Sequence, residues 1–149
     1  DLFELPNVAR EGTFLNGKAH FTVNPLPLVK VAKNELIMMT IRSHDQYNTT
    51  IYGLDDRYRG IYNERRVILM NKEDLLPRSL KTGDIVDIKS HYQGEKRSVE
   101  KFIVVEFDIA KGCCATYFPE ANALIPLKSV AKHSNTPASK FVEVTIEKR

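Results

Sequence analysis

Eight consecutive residues bring together side chains that could do chemistry: Arg42, Ser43, His44, Asp45, Gln46, Tyr47, Asn48 and Thr49. They supply a cation, several hydroxyls, a carboxylate and two amides. An arginine presents a rigid fork of donors suited to a phosphate or a ring carbonyl. An aspartate accepts two N–H donors and so can read the edge of a heterocycle. The backbone N–H groups of Ser43 and its neighbours can cradle an anion. The alternative is a surface loop that satisfies its own turns, which composition alone favours.

Two further groups follow. In Asp55-Asp56-Arg57-Tyr58-Arg59-Gly60, Asp56 and Arg59 read as a charged surface turn with local ion pairs of little energetic weight. Arg57 is the member able to reach a ligand. The third group is Tyr117-Phe118-Pro119-Glu120-Ala121-Asn122, with Ser134, Thr136 and Lys140 downstream. Asn122 donates and accepts at once, which suits a heterocycle edge, or it caps a turn. Ser134, Thr136 and Lys140 offer hydroxyl and ammonium groups to anionic oxygens.

Catalysis is hard to build from these residues. The four histidines, His20, His44, His91 and His133, are scattered, and no Ser, His and acid set has triad-like spacing. His44 alone falls inside a candidate site. The two cysteines are adjacent, Cys113 and Cys114, where a disulfide is strained. There is no CxxC pair to hold zinc or an iron–sulfur cluster. The cysteines read as small apolar residues of a buried strand, and free thiols point to a reducing, cytoplasmic compartment. We therefore expect neither catalytic residues nor metal ligands in this chain.

The elements that must position these groups are short strands. Leu36 to Arg42 is a continuous apolar run, expected to be a strand buried on both faces and ending in the polar loop. Arg65 to Met70 is a second strand. Asn71 caps a brief helix, with Asp74 in the place of a capping-box acid and Pro77 ending it. Gly83 makes a turn with positive φ. Ile85 to Ser90 alternates, with Val86, Ile88 and Ser90 on one face. Val99 to Ile109 alternates too, with Ile103, Val105, Phe107 and Ile109 expected inward, and Gln93-Gly94 makes a hairpin between them. Gly112 to Tyr117 and Phe141 to Ile146 are further strands, and Asn122 to Leu127 is a possible helix. Lys18 to Val23 is strand-like. No internal repeat is visible. Six or seven short strands without a βαβ rhythm imply a closed barrel or sandwich.

The bounds set by composition agree. The chain has 149 residues, enough for one domain with a real core. Apolar residues make up 42% and charged residues 28%, and no apolar run has the length of a membrane span. The net charge of +3, from 22 basic and 19 acidic residues, is too small to argue for nucleic acid. No signal-peptide pattern opens the chain, and its first residue is Asp1, as expected of a domain cut from a longer polypeptide. Residues 1–35, with Pro6, Pro25 and Pro27, read as an incoming connection packing on a domain over residues 36–149.

The three polar groups, in this order, resemble the C-terminal dinucleotide-binding domain of the molybdopterin oxidoreductases. The stretch from Ile41 to Gly60, with Arg42-Ser43-His44-Asp45-Gln46-Tyr47-Asn48-Thr49 at its core, resembles a branch of formate-dehydrogenase-like alpha subunits. Val67 to Asp84 resembles the family's strand, Asn-x-Glu-Asp helix and Gly-Asp turn. Tyr117 to Leu124, with Ser134, Thr136-Pro137 and Lys140, completes a likeness that covers roughly residues 14 to 147. Pro77 departs from it, where the family continues its short helix. The family's metal ligand and cluster cysteines lie in earlier domains, and nothing here replaces them.

The resemblance implies a mainly β fold, a six- to seven-stranded double-psi β-barrel with one or two short helices. It implies a bis-molybdopterin guanine dinucleotide cofactor of molybdenum or tungsten, clamped between this domain and upstream domains of the same polypeptide. By position, Arg42, Ser43, His44, Asp45, Gln46, Asn48 and Thr49 would line the pterin and phosphate end, with Arg57 beside them. Tyr117, Phe118, Asn122, Ser134, Thr136 and Lys140 would complete the pocket. The small-molecule substrate would be met only in the full enzyme, and the domain alone would be catalytically silent. A different reading is a protein-interaction double-psi barrel without cofactor, which expects an exposed apolar groove and no polar convergence. A self-contained enzyme would have to rely on His44 or Asp45.

Overall fold

The computed structural model describes residues 23, 25, 29–47, 53–132 and 134–149. The chain divides into two compact units, Asp1–Lys30 and Val31–Arg149, and the elements below belong to the second. All of the strand-like piece at Lys18 to Val23 except Val23, and most of the expected connection over residues 1–35, lie outside the described residues, as do Asn48 and Thr49.

Six strands form the fold: β1 (Leu36–Ile41), β2 (Val67–Met70), β3 (Ile85–Tyr92), β4 (Glu95–Glu106), β5 (Cys113–Tyr117) and β6 (Val142–Lys148). Two single-turn helices accompany them, α1 (Lys72–Leu75) and α2 (Phe118–Ala121), each continued by a 3-10 turn. The strands close in the order β1-β5-β2-β4-β3-β6, leaving no free edge. β1/β5 and β2/β4 are parallel, and the other four pairs are antiparallel. Exchanging β1, β2 and β3 for β4, β5 and β6 leaves every pairing unchanged, and it carries α1, after β2, onto α2, after β5. A repeat that the sequence does not display is therefore present in the structure. This closed, doubly crossed arrangement is the double-psi β-barrel expected.

Two apolar clusters hold the barrel. The interior contains Leu36, Met38, Ile68, Met70, Val86, Ile88, Val99, Phe102, Val104, Cys114 and Val144. An outer cluster is centred on Ile61, Val67, Leu69, Ala115 and Tyr117. β2, flanked by both, is buried at all four positions. β1 is not the doubly buried strand expected from its apolar run: Leu36, Met38 and Thr40 are buried, but Met39 is 38% exposed, because the outer cluster reaches β1 only at Ile41.

The inward face expected on β4 is also corrected. Ile103, Val105, Phe107 and Ile109 pack against the outer cluster, while Val99, Phe102 and Val104 face the interior. Both faces of this stretch are covered, so alternation could not say which was the inside. Val86 pairs with Phe102 and Ile88 with Val99, so three steps on β4 match two on β3. The extra residue makes a β-bulge at which Lys101 takes φ +60°.

The local signals fared better. Asn71 caps α1 by accepting from the Glu73 amide at 2.8 Å. Asp74 does not close a capping box. It is buried and accepts instead from the Gly112 amide at 2.7 Å, tying α1 to the start of β5. Pro119 lies in the first turn of α2, which starts at Phe118 and not at Asn122 as expected. Gln93 and Gly94 both have positive φ, the geometry of a type I′ hairpin turn. Among the described residues no helix is long and apolar enough to cross a membrane.

Candidate functional site

Strand directions decide where the polar groups go. β1 and β5 run parallel with Ile41 beside Tyr117, so Arg42 and Phe118 leave the barrel at the same rim. β2 runs against β5 with Ile68 beside Thr116, so the residues entering β2, Arg65 and Arg66, arrive at that rim as well. β6 runs against β1 with Val142 beside Met38, which puts the segment before it next to Thr40. There the Thr40 amide donates to the Ser139 carbonyl at 3.0 Å, and Lys140 Nζ donates to the Thr40 carbonyl.

A cleft of ≈ 460 Å³ opens at this rim. Its charged lining consists of Arg42, Arg59 and Lys140, with Thr40, Ile41, Phe118 and Ser139 completing the wall. Among the described residues no carboxylate lines it. Arg59 is fixed on two sides: Nη1 donates to Asp56 Oδ2 at 2.5 Å and to the Arg42 carbonyl at 3.2 Å. Burial, reinforced by the neighbouring charge of Arg42, holds the Lys140 ammonium below its ordinary pKa. An anion in the cleft would relieve that repulsion. Phe118 is 41% exposed and adds an aromatic ring to the lining beside the cations. Chemically the cleft suits a molecule that carries both negative charge and a flat ring.

Behind the cleft lies a buried polar layer. Asp56, read from sequence as part of a charged surface turn, is 1% exposed. The turn itself is present, closed by a bridge between Asp56 and Ile61, but its carboxylate points inward and accepts from Tyr117 Oη at 2.8 Å. Burial raises the pKa of Asp56. The hydrogen bonds from Arg59 and Tyr117, with the Arg59 charge and the His44 amide, outweigh it and hold the carboxyl below its ordinary value. Burial and the Asp56 contact push the Tyr117 hydroxyl well up, so it stays a donor.

Arg65, 3% exposed, is the centre of the layer. It donates to Glu120 Oε1 at 2.8 Å, Ser43 Oγ at 2.9 Å and Gln46 Oε1 at 3.0 Å, and it lies 4.5 Å from the Tyr117 ring centroid. The layer thus joins segments far apart in sequence, which is why a reading along the chain did not find it.

The described sequence-derived site residues separate into five groups. Arg42, Phe118 and Lys140 line the cleft together. Ser43, Gln46 and Tyr117 are buried behind it, where they support its walls. His44, Asp45 and Arg57 form an exposed cluster: Arg57 Nη2 is 3.3 Å from His44 Nε2, and the His44 ring lies tilted against Tyr58 with centroids 3.8 Å apart. Asn122 belongs to a different hollow, with Ala123, Pro126 and Pro137. Ser134 and Thr136 sit on an exposed turn, where Ser134 Oγ accepts from the Thr136 amide. Sequence reasoning missed Arg59, Arg65 and Thr40. For Arg59 the only signal was its charge, and for Arg65 its position just before an apolar strand.

The model of the molydopterin dinucleotide binding domain family matches residues 36–143. The chain belongs to this family. The match runs from the first residue of β1 into β6 and so includes every element that forms the rim. An uncharacterized oxidoreductase of Mycobacterium tuberculosis (strain ATCC 25618 / H37Rv) is 47% identical over 99% of this chain, and Protein YdeP of Escherichia coli (strain K12) is 36% identical over 97% of it. The chain spans about a fifth of the length of these relatives, 20% in each case. Among solved structures, the computationally designed msDPBB_sym2 protein superposes with a TM-score of 0.41 and 17% identity, covering 74% of this chain and 96% of the design. The cations that line the rim cleft of this molybdopterin dinucleotide-binding domain, Arg42, Arg59 and Lys140, have the charge that an anionic ligand requires.

Proposed function

We propose that this chain is the domain of a longer, formate-dehydrogenase-like molybdopterin oxidoreductase that grips the guanine dinucleotide part of a bis-molybdopterin guanine dinucleotide cofactor. The carrying observation is the cleft at the β1/β5 rim, where Arg42, Arg59 and Lys140 converge, with Asp56 pairing with Arg59 from behind the wall. Arg42 and Arg59 hold the diphosphate with charge-assisted hydrogen bonds. Lys140, whose charged form is disfavoured by burial and by Arg42, adds a further donor. Phe118 offers its exposed ring to a base or pterin face. Molybdenum or tungsten supplies the oxidation–reduction chemistry when the cofactor is bound. This chain's part is placement. Among the described residues no group of three or more His, Cys, Asp or Glu is placed to hold a metal ion.

The relatives named as oxidoreductases support the enzyme class. That the chain spans a fifth of their length supports a clamp shared with upstream domains of the same polypeptide. Two free thiols, Cys113 and Cys114, support a cytoplasmic setting. Convergence of charge at the rim counts against a protein-interaction barrel, which expects an exposed apolar groove and no polar convergence there.

Titration of GDP, with ADP and CDP as comparisons, into the isotopically labelled 149-residue chain tests the reading. Amide shifts are expected at Arg42 to Gln46, Arg59, Phe118 and Lys140, with GDP preferred. Arg42→Met and Lys140→Met should each weaken GDP binding roughly tenfold, since a hydrogen bond to a charged group contributes about 1.5–3 kcal/mol. Shifts confined to other surfaces, or equal response to all three nucleotides, would remove the guanine assignment. The chain alone should oxidise no formate in a dye-linked assay.

A further inference from the structure

We infer that Arg65 is a positioning residue for the cleft: one buried guanidinium sets the relative placement of Arg42, Arg59 and Phe118 without touching what they bind. The inference rests on the cofactor-binding reading for its purpose, and on the structure alone for its geometry. Arg65 does not line the cleft. Its partners nevertheless adjoin three of the groups that do.

Toward β1, Nη1 donates to Ser43 Oγ at 2.9 Å and Nη2 to Gln46 Oε1 at 3.0 Å. Ser43 is the residue after Arg42, so this pair fixes how the chain turns as it delivers Arg42 to the rim. Toward β5, Nε donates to Glu120 Oε1 at 2.8 Å, within the helical turn that opens with Phe118. Toward Arg59 the route is indirect. The guanidinium lies 4.5 Å from the Tyr117 ring centroid, Tyr117 Oη donates to Asp56, and Asp56 holds Arg59. The three side chains that accept from Arg65, those of Gln46, Ser43 and Glu120, lie 19 to 55 positions from it, and β-pairing fixes only the strands, not the loops that leave them.

Stability alone does not explain an arginine here. A buried ion pair is commonly replaceable by well-packed apolar residues without loss of stability, whereas its directional bonds specify one geometry. Glu120 Oε2 is buried and has no hydrogen-bond partner, so the pair is not optimised as a stabilising element. Lysine could retain the charge but not the planar fork that reaches Ser43, Gln46 and Glu120 together.

The test uses the 149-residue chain carrying Arg65→Met together with Glu120→Met, which removes both charges, and separately Arg65→Lys, which keeps the charge and most of the volume. In both, amide signals of the interior strands, such as Ile88 and Val104, should stay in place. Those of Ser43 to Gln46 and Phe118 to Ala121 should shift and lose exchange protection, and GDP affinity should fall at least tenfold. A double variant that unfolds while Arg65→Lys keeps native loop shifts and affinity would make Arg65 a stability residue and overturn the inference. So would either folded variant with unmoved 43–46 and 118–121 signals. If the wild-type chain binds no GDP, the cofactor reading fails, while the loop signals still decide the role of Arg65.

Discussion

At Asp56 one carboxylate takes a hydrogen bond from Tyr117 and another from Arg59, so it links the buried layer to the wall of the cleft. Tyr117→Phe removes the first while preserving the ring and its stack on Arg65. That substitution should lower stability by about 1–2 kcal/mol, read as a fall in the urea midpoint at unchanged slope. Because the Asp56 pKa is lowered on folding, its contribution is fully present above the ordinary value of 3.8 and is lost as pH falls through the lower folded-state value. Wild type should therefore lose more stability between pH 5 and acid than Asp56→Asn, read as the change in urea midpoint across that range. Asp84 and Asp87 are lowered too, by hydrogen bonds from Lys148 and Arg149, so the difference between wild type and Asp56→Asn, not the raw curve, isolates Asp56.

At the scale of elements, periodicity succeeded where one face meets water and failed where both are covered. β3 reads correctly because Val86, Ile88 and Ser90 are buried while the residues between are not. β4 from Ile103 onward was assigned to the wrong face because a second apolar cluster covers its outside. The helix after β5 was expected at Asn122 to Leu127 but starts at Phe118, with Pro119 in its first turn, a position where proline favours a helix start. The β3–β4 hairpin turn has both central residues at positive φ, with Gln93 at +46°. Gln93→Asn should stabilise the protein by roughly 0.5 kcal/mol, since asparagine takes that conformation more readily in a type I′ turn. Differential scanning calorimetry of the two proteins checks it, and an unchanged or lower midpoint would contradict the turn assignment.

For the molecule as a whole, closure makes the site and the core one cooperative object. Phe102 is fully buried in the interior, opposite Val86 across the β3–β4 pair. Phe102→Ala should cost about 3–5 kcal/mol. In a closed barrel that loss should appear at the same denaturant concentration whether monitored by backbone circular dichroism or by tyrosine fluorescence at the rim. Separate transitions would mean that the rim unfolds as an independent unit.

The sequence by itself determined the composition of the site and the kinds of element around it. The polar run after a buried strand, the second polar group after Tyr117 and the lysine near the last strand were all visible, because residue type and local spacing are one-dimensional properties. The β class, the hairpin turn and the Asn71 cap were visible for the same reason. Only the tertiary structure decided which of those groups meet. Parallel pairing of β1 with β5 brings Arg42 to Phe118, and the antiparallel pairings of β2 and β6 add Arg65 and Lys140. The same pairings leave Asn122, Ser134 and Thr136 off the cleft wall. Register and strand direction are long-range choices, set by which apolar faces fit together around a closed core, and no window along the chain contains them.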